Sequence, residues 1–530
     1  MEVTLPKLRQ YHIESSTEGQ GLRITVMSAT INPSEYITFF QQGTHRGPSV
    51  FHVVGSNPFN VAEHYLSTST LSDRASSAAN TALILHSSKP RRPIGNSILV
   101  FFPGRADIQS AKAILEQTQA IPGYLSWGFK VEEATGGSGA SHDTDRFDST
   151  PQERTIILAT NAAETSITVR DAGYVVDSGV YNRMIYDWRT RSSQLMTIPI
   201  SKSQATQRRG RVGRTNDGEY FALYTKAEAQ LLRNTQLPAI GSQNITSTVL
   251  RLIAAGHHPI NYPWLHPPSS DQCEAAITEL WYHQAIDPNC RITPTGEILN
   301  STGLDLLPAS LVRLAYMYGS TETRKIALYI SAMLEEVENI FDSKPASNIR
   351  NLLPQIPPEM HGDHAKLGLL LDEFTKQPRN QREQWARTHG FRFNSLQRAL
   401  THVGKIQTVM DKRRIPVHGS PLSLHLLLTF AYARNTAVKD EMHSSSIYTT
   451  DDDVRASLHD QAQYVHDYQK PMFLIYHKCF KSAEGSRYRL HVVTEINASD
   501  LLRSSDYSNW SQFNSQGPVT TRVLGGNVVN

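Results

Sequence analysis

The sequence predicts an α/β chain: a doubly wound parallel sheet, then a helical region, then a small β-barrel. Three patterns carry this reading. Apolar runs Ser97–Phe102 (SILVFF), Thr155–Ala159, Tyr174–Asp177 (YVVD) and Tyr220–Tyr224 (YFALY) alternate with stretches of helical spacing, as strands buried on both faces do. Past Thr225 the apolar spacing turns helical. From about Leu422 short strand-like runs return, clearest in Phe473–Tyr476 (FLIY) and Tyr488–Thr494 (YRLHVVT), and short strands of that kind suit a small barrel.

Composition agrees with folded domains. The 530 residues are 39% hydrophobic and 19% charged, which excludes a disordered chain and leaves room for roughly three to five domains. A net charge of +3 is too mild to mark a nucleic-acid protein, so any such surface is local. The three cysteines, Cys273, Cys290 and Cys479, form no CxxC pair, which argues against a disulfide scaffold or structural zinc. No apolar run reaches membrane length and no signal peptide opens the chain, so a reducing intracellular setting is expected, nuclear or cytoplasmic.

Taken in order, Leu22–Met27 (LRITVM) reads as a buried strand, Ser34–Gln41 as a short amphipathic helix and Ser49–Val54 (SVFHVV) as another strand. That group is too small to cover both faces of a parallel sheet, so its strands are expected to lack partners. A second unit starts near Asn57. It has a helix from Arg74, the SILVFF strand, a turn at Pro103-Gly104 and a helix with Ile108, Ala111, Ile114 and Leu115 on one face. A Gly/Ser/Asp/Thr-rich loop covers Glu133 to Thr150. Tyr181–Asp187 and Gln194–Ile200 pair around Arg189–Ser193 as a hairpin. Loops after Phe102, Ala159 and Asp177 open at the strand ends where ligands gather in such sheets. Helices follow at Ile245–Ile253, stopped by Gly256, and around Cys273–Trp281, Pro308–Tyr318, Thr321–Leu334, Ala365–Phe374 and Ser395–Met410. Ile292–Gly296 reads as a strand and turn. The tail past Ser504 is rich in Ser, Asn and Gly and reads as disorder.

The chemistry concentrates in Gln207–Arg214, QRRGRVGR. At helix spacing Gln207, Arg211 and Arg214 share one face, and Gly210 and Gly213 thin the other. Guanidinium groups make paired, charge-assisted bonds to phosphate oxygens and suit the charge of a transferring phosphoryl group. Taken alone, the octamer fits a solvated basic helix or a generic RNA-binding patch better.

With its company, the octamer resembles motif VI of the DEAH-box RNA helicases of superfamily 2. Ser28–Thr30 (SAT), Val100–Ile108 (VFFPGRADI), Ala159–Val169 (ATNAAETSITV) and Val175–Gly179 (VVDSG) precede it in the family's order. Asn244–Gly256 and Arg291–Leu299 resemble that family's winged-helix region. Gly362–His364 with Trp385–Leu400 resembles its helical, ratchet-like domain, and the end resembles its OB-like barrel. The resemblance implies a remnant of a first RecA-like lobe at 1–56 and a second RecA-like lobe at 57–226. It further implies a winged-helix-like region at 227–292, a helical ratchet-like domain at 293–415, an OB-like barrel at 416–504 and a disordered tail at 505–530.

The same resemblance implies roles. Arg211 and Arg214 are arginine fingers for the γ-phosphate, and Gln207 helps place the attacking water. Phe147 stacks on adenine and Asp171 lies near the nucleotide, although Arg170 stands where many members carry an acid. Thr160, Asn161 and Thr165 contact RNA phosphates, and Arg189 marks a hairpin along the RNA path. Ser28 and Thr30 couple the two sites. ATP with Mg²⁺, single-stranded RNA and a G-patch-type activator at the barrel are the implied ligands and partners.

Departures accompany the match. The chain has no GxxxxGK[ST] loop and no DEAH box ahead of Ser28, so the resemblance implies that it starts within the first lobe, after that box. Asp440–His443 (DEMH) imitates such a box but falls far past motif VI, as a chance match does. His361 and His364 flank Gly-Asp in the helical region, and His257-His258 follows a helix stop; structural roles are expected for both pairs. The alternative reading is a catalytically inert helicase-like protein that binds RNA or a protein partner.

Overall fold

The computed structural model describes residues 6, 24–27, 33–41, 48–52, 59–68, 73–134 (except 93, 124 and 126), 150–161 (except 151), 169, 172–341, 352, 362–440, 447–462 and 470–504 (except 483, 484 and 486). The chain divides into two compact units, Thr4–Arg183 with Met196–Pro238, and Met184–Leu195 with Ala239–Asn530.

The first unit is built on six parallel strands: β1 (Val61–Leu66), β2 (Ser97–Phe101), β3 (Phe129–Ala134), β4 (Arg154–Ala159), β5 (Ala172–Asp177) and β8 (Gly218–Thr225), in the order β1-β8-β5-β2-β4-β3. The three strands β2, β4 and β5 are buried at every position. Their side chains alternate between two cores, as the two-residue period requires. After α1 (Pro33–Gln41) come helices α2 (Arg74–Ser88) and α3 (Arg105–Gln119), which meet Ile98, Val100, Ile156, Leu158, Tyr174 and Val176. Leu99, Phe101, Ile157, Ala159 and Val175 face the opposite core with Val212, Tyr220 and Ala222. Ala75, Ala78, Ala79 and Ala82 form the buried face of α2, where small side chains let the helix lie close to the sheet.

A buried arginine ties off that layer. Arg154 is fully buried and donates to the carbonyls of Leu85 (2.8 Å) and Pro90 (3.0 Å) and to Asn96 Oδ1 (3.0 Å). Its guanidinium lies between the rings of Trp127 (4.9 Å) and Tyr174 (5.4 Å). No carboxylate takes part in these contacts, and burial pulls its pKa down to about 10.

The second buried charge sits at the carboxyl end of β5. Arg208, in the last turn of α4 (Lys202–Arg209), places Nη1 2.6 Å from Asp177 Oδ1, and both side chains have no solvent exposure. Asp177 also accepts from the Gly179 N–H (2.8 Å) and the Tyr220 hydroxyl (2.5 Å), which meets Tyr224 at 2.8 Å. Phe101 supplies an aromatic face 4.8 Å from the Arg208 guanidinium. Helix α4 starts in a capping box, Ser201 with Gln204, so both of its ends are fixed.

Between the sheet strands run β6 (Val180–Asp187) and β7 (Ser192–Pro199), the expected hairpin, whose tip at 184–195 belongs to the second unit. There Ser193 and Gln194 pair in parallel with Phe480 and Lys481. Helix α5 (Lys226–Leu231) closes the first unit, and the second holds α6 (Thr246–Ala254), α7 (Ser270–Tyr282), α8 (Pro294–Thr302), α9 (Leu306–Tyr318), α10 (Thr321–Glu336), α11 (Asp363–Lys376), α12 (Arg382–Thr388), α13 (Phe393–Arg413) and α14 (Leu424–Ala431). Strands β9 (Thr436–Lys439), β10 (Ile447–Thr450), β11 (Arg455–Leu458), β12 (Phe473–Lys481) and β13 (Tyr488–Ile496) close into a five-stranded barrel, followed by α15 (Ala498–Arg503).

Several expectations need correction. Ile24–Met27 and residues 48–52 are not strands; Met27 and Phe51 are 87% and 88% exposed. Ile292–Gly296 is not a strand and turn: Thr293 caps α8 and Pro294 occupies its first turn, where the missing N–H costs nothing. Leu424–Ala431 is a helix capped by Ser423, not the first barrel strand. The QRRGRVGR run is helical only to Arg209. Gly210 ends the helix, and Gly213 sits at φ +76°, which a continuing helix does not allow. The shared helical face of Gln207, Arg211 and Arg214 therefore does not exist.

Asp177→Asn keeps the shape but leaves Arg208 buried without its counter-charge. A loss on the order of 3–5 kcal/mol is expected. Hydrogen exchange across 172–177 and 202–209 in the intact chain reads it, and unchanged protection there means that the pair is dispensable.

Acid should weaken the second unit. Burial holds His283 and His491 at about 4 and His364 at about 3. All three are neutral in the fold and take up protons more readily when unfolded, near 6.5. Their contribution is present above pH 6.5 and lost as pH falls toward 4. Glu279 adds a second step. Burial raises it, but Arg434 and Arg191 outweigh burial and hold it at about 2, so its contribution goes below pH 4.5. Urea midpoints measured from pH 7 to pH 4 should fall throughout; a flat profile means these histidines reach water in the native state.

Candidate nucleotide and nucleic-acid site

Strand ends assemble the first part of the site. Phe102 N–H donates to the Ala159 carbonyl (2.7 Å), Ser178 N–H to Phe101 (3.3 Å) and Thr160 N–H to Ala134 (3.3 Å), so the loops leaving β2, β4 and β5 start from one interlocked edge. Thr160 and Asn161 are half-buried just past β4, at the place expected for a strand-end phosphate contact. Gly104 opens α3 without a side-chain cap. A Cβ there would stand 2.5 Å from Asn182 Nδ2, so a larger residue would have to push the Asn182 amide aside.

The turn after α4 completes this part. Arg211 N–H and Val212 N–H donate back to the carbonyls of Arg208 (3.1 Å) and Arg209 (3.2 Å). Val212 is fully buried and packs so closely on Gly218 that a Cβ there would lie 2.6 Å from it. This anchor separates the two arginines on either side. Arg211 is buried at 8% exposure, whereas Arg214 is exposed and donates Nε–H to the Gly210 carbonyl (2.9 Å). Gln207 is half-buried on α4. A turn held by Val212 thus takes the place of the helical face and keeps Gln207, Arg211 and Arg214 within one short segment. Arg209 pairs with Glu63 of β1. Burial raises the Glu63 carboxyl, but Tyr65 and Arg209 outweigh burial and hold it low.

Arg189 lies elsewhere, in the hairpin tip of the second unit. It is exposed, its guanidinium is 4.4 Å from the Trp188 ring, and its N–H is held by Asp187 Oδ1 (3.0 Å). Beneath it Arg191 adopts φ +44°, an uncommon conformation for a non-glycine residue. Compensation is electrostatic. Arg191 meets Asp452 (2.7 Å) and Glu279 (3.6 Å), and Arg434 meets Glu279 (2.8 Å). These charges floor a cavity of about 350 Å³ shared by the tip, α7 and the start of α6.

Ser28, Thr30, Phe147, Thr165 and Asp171 lie outside the described residues. So do His361 and most of the DEMH run. His364 is buried against Thr494 Oγ1 (3.0 Å) and the Tyr432 ring, and no group of three or more metal-ligating side chains exists among the described residues. Sequence reasoning missed Arg208 and Asp177. The signal was present, a lone acid ending the apolar YVVD run beside a motif with more arginines than fingers, but nothing in it paired them.

The helicase conserved C-terminal domain matches residues 81–216, which include β2 to β5 and the turn of Arg211 and Arg214. A probable ATP-dependent RNA helicase DHX35 from Pongo abelii is 26% identical over 497 residues, 91% of this chain and 66% of the relative. Its Homo sapiens counterpart is 26% identical over 493 residues, 91% of this chain and 68% of the relative. The chain spans about two thirds of the length of these relatives. Along nine-tenths of its length the chain is thus similar to these probable ATP-dependent RNA helicases, and one segment matches the helicase conserved C-terminal domain.

Proposed function

We propose that the chain is the C-terminal portion of an ATP-dependent RNA helicase, in which ATP hydrolysis drives movement along single-stranded RNA. The observation that carries this is the anchored turn: Arg208–Asp177 beneath, Val212 plugged into the core, and Arg211 and Arg214 on either side. Arg214 keeps both Nη groups for a phosphate, since only Nε is bonded within the described residues. In this reading Arg211 and Arg214 stabilise the transferring phosphoryl group and Gln207 helps place the water. Phe147 and Asp171 contact the nucleotide, Thr160, Asn161, Thr165 and Arg189 the RNA, and Ser28 and Thr30 couple the two. A G-patch-type activator at the barrel follows from the family resemblance alone.

Mg²⁺ finds no fitting donor set among the described residues. Asp177, the carboxylate beside the turn, already has both oxygens engaged. No step is assigned to the ion here. The phosphate-binding lysine that such transfer needs is also absent from the 530 residues, which contain no GxxxxGK[ST] loop. That absence is what favours the second reading, an inert helicase-like protein that binds RNA or a partner.

Two outcomes follow. The purified chain should bind single-stranded RNA, more weakly as salt rises, and should not hydrolyse ATP; RNA-stimulated turnover on the order of 1 s⁻¹ overturns the assignment of inactivity alone. Joined in one polypeptide to the preceding segment of a relative that carries the lysine loop, the chain should support turnover. Arg211→Ala or Arg214→Ala should then lower it by roughly 10³–10⁵, with nucleotide-free RNA binding changed far less. Turnover within about threefold of the parent in both variants means that they are not fingers, and no turnover in the joined parent favours the inert protein.

A further inference from the structure

Apart from Arg189, the cavity under the hairpin tip is lined by groups that the helicase reading does not use. Its floor is spent, because two carboxylates and two guanidiniums there neutralise each other. Its open walls are not. Asp271 and Glu274 sit three residues apart on α7, so they face the same side. Both are exposed, and neither makes an ion pair or hydrogen bond among the described residues. Asp271 also favours the positive end of its helix, which alone explains a first-turn acid. Glu274, one turn on, has no such explanation. The same cavity is lined by Trp188 and Arg189, whose guanidinium lies 4.4 Å from the Trp188 ring.

The lining as a whole holds four carboxylates against three guanidiniums. The acid wall repels phosphate, so a nucleotide enters this cavity base first, and a strong cation meets the guanidiniums. What fits is a neutral, planar group with adjacent N–H donors on one edge and acceptors on another. At about 350 Å³ the cavity lies at the lower end of the roughly 300–1,000 Å³ range of small-molecule sites. Among nucleobases only guanine presents two neighbouring donors, N1–H and N2–H, to a carboxylate. Adenine and cytosine set an acceptor nitrogen beside their single amino group, and uracil flanks one N–H with two carbonyls. Bases are commonly held in proteins on aromatic or guanidinium planes by contacts to their edges.

We propose that this cavity is a guanine-selective base site, with Asp271 and Glu274 reading the donor edge and the Trp188–Arg189 wall taking the ring face. The source of the base, a guanosine within RNA or a free guanine nucleotide, is left to the test. Base selectivity does not depend on ATP turnover, so its failure and the failure of the helicase reading are separable.

Calorimetric titration of the full chain with guanosine, adenosine, cytidine and uridine should give guanosine at least a tenfold advantage. Asp271→Asn with Glu274→Gln should remove that advantage. Both side chains are exposed, so the unfolding midpoint should stay unchanged and report a folded variant. Trp188→Leu should weaken guanosine binding as well. A uridine 9-mer with one central guanosine, compared with the same oligomer carrying adenosine, and GMP compared with AMP, then assign the source: preference in the oligomer alone marks RNA, and equal preference in both marks the base irrespective of chain. Equal affinity for all four nucleosides overturns the proposal. So does a guanosine preference that survives the double substitution, or an arginine-rich peptide that binds this site in place of the nucleoside.

Discussion

One fully buried ion pair sets the geometry of the first unit. Arg208 and Asp177 stand 2.6 Å apart with no exposure on either side. Removing both charges from water is expensive, and a hydrophobic replacement of equal volume is often no less stable. The pair is therefore better understood as a positional device than as a source of stability. Asp177 ends β5, the strand beside β2 in mid-sheet, and Arg208 ends α4. Satisfying one charge requires the other, so the last turn of the helix is pinned to a chosen strand end. Tyr220 and the Gly179 N–H saturate the carboxylate, and Phe101 covers the cation. Everything downstream, the turn of Gly210–Arg214 above all, starts from that fixed point.

The parts of the fold that the sequence revealed are those where burial is symmetrical. Strands β2, β4 and β5 lie inside on both faces, so they read as unbroken apolar runs. The two edge strands did not show. β1 (VAEHYL) carries charge at an exposed position and β3 (FKVEEA) at half-exposed ones, as edges do, and neither pattern separates from a loop. Leu424–Ala431 failed for a different reason: LHLLLTFA is apolar on nearly every side, and periodicity cannot tell a buried helix from a buried strand in so short a run. Ile24–Met27 and residues 48–52 show the converse, since an apolar run becomes a strand only where a neighbour supplies the ladder.

The site divides along the same line. Motif order alone was enough to single out Gln207, Arg211 and Arg214, because residue type and spacing are local properties. Their conformation was not local. Gly213 adopts a positive φ and Val212 sinks into the core against Gly218, contacts made through tertiary packing. Long-range charge pairing was equally invisible. Arg191 and Asp452 are 261 residues apart, and no pattern links them. Their meeting accounts for the left-handed conformation of Arg191, a cost the surrounding charges offset.

The octamer's four arginines thus differ in kind, and the difference follows from depth. Arg208 is sealed and spends its charge on Asp177. Arg209 reaches the sheet edge and spends its charge on Glu63. Arg211 is held at the surface of the core, and Arg214 is out in water with only its Nε engaged. Depth alternates along the run: Arg209 lies out at the sheet edge, Arg211 and Val212 turn back inward once the helix stops at Gly210, and the turn then carries Arg214 outward. Had the helix continued, Arg211 and Arg214 would have shared a single stripe and a single environment. The break gives two neighbouring guanidiniums different burial and different freedom. One is confined by packing and the other is free to reach, an arrangement suited to meeting a charged group from two directions.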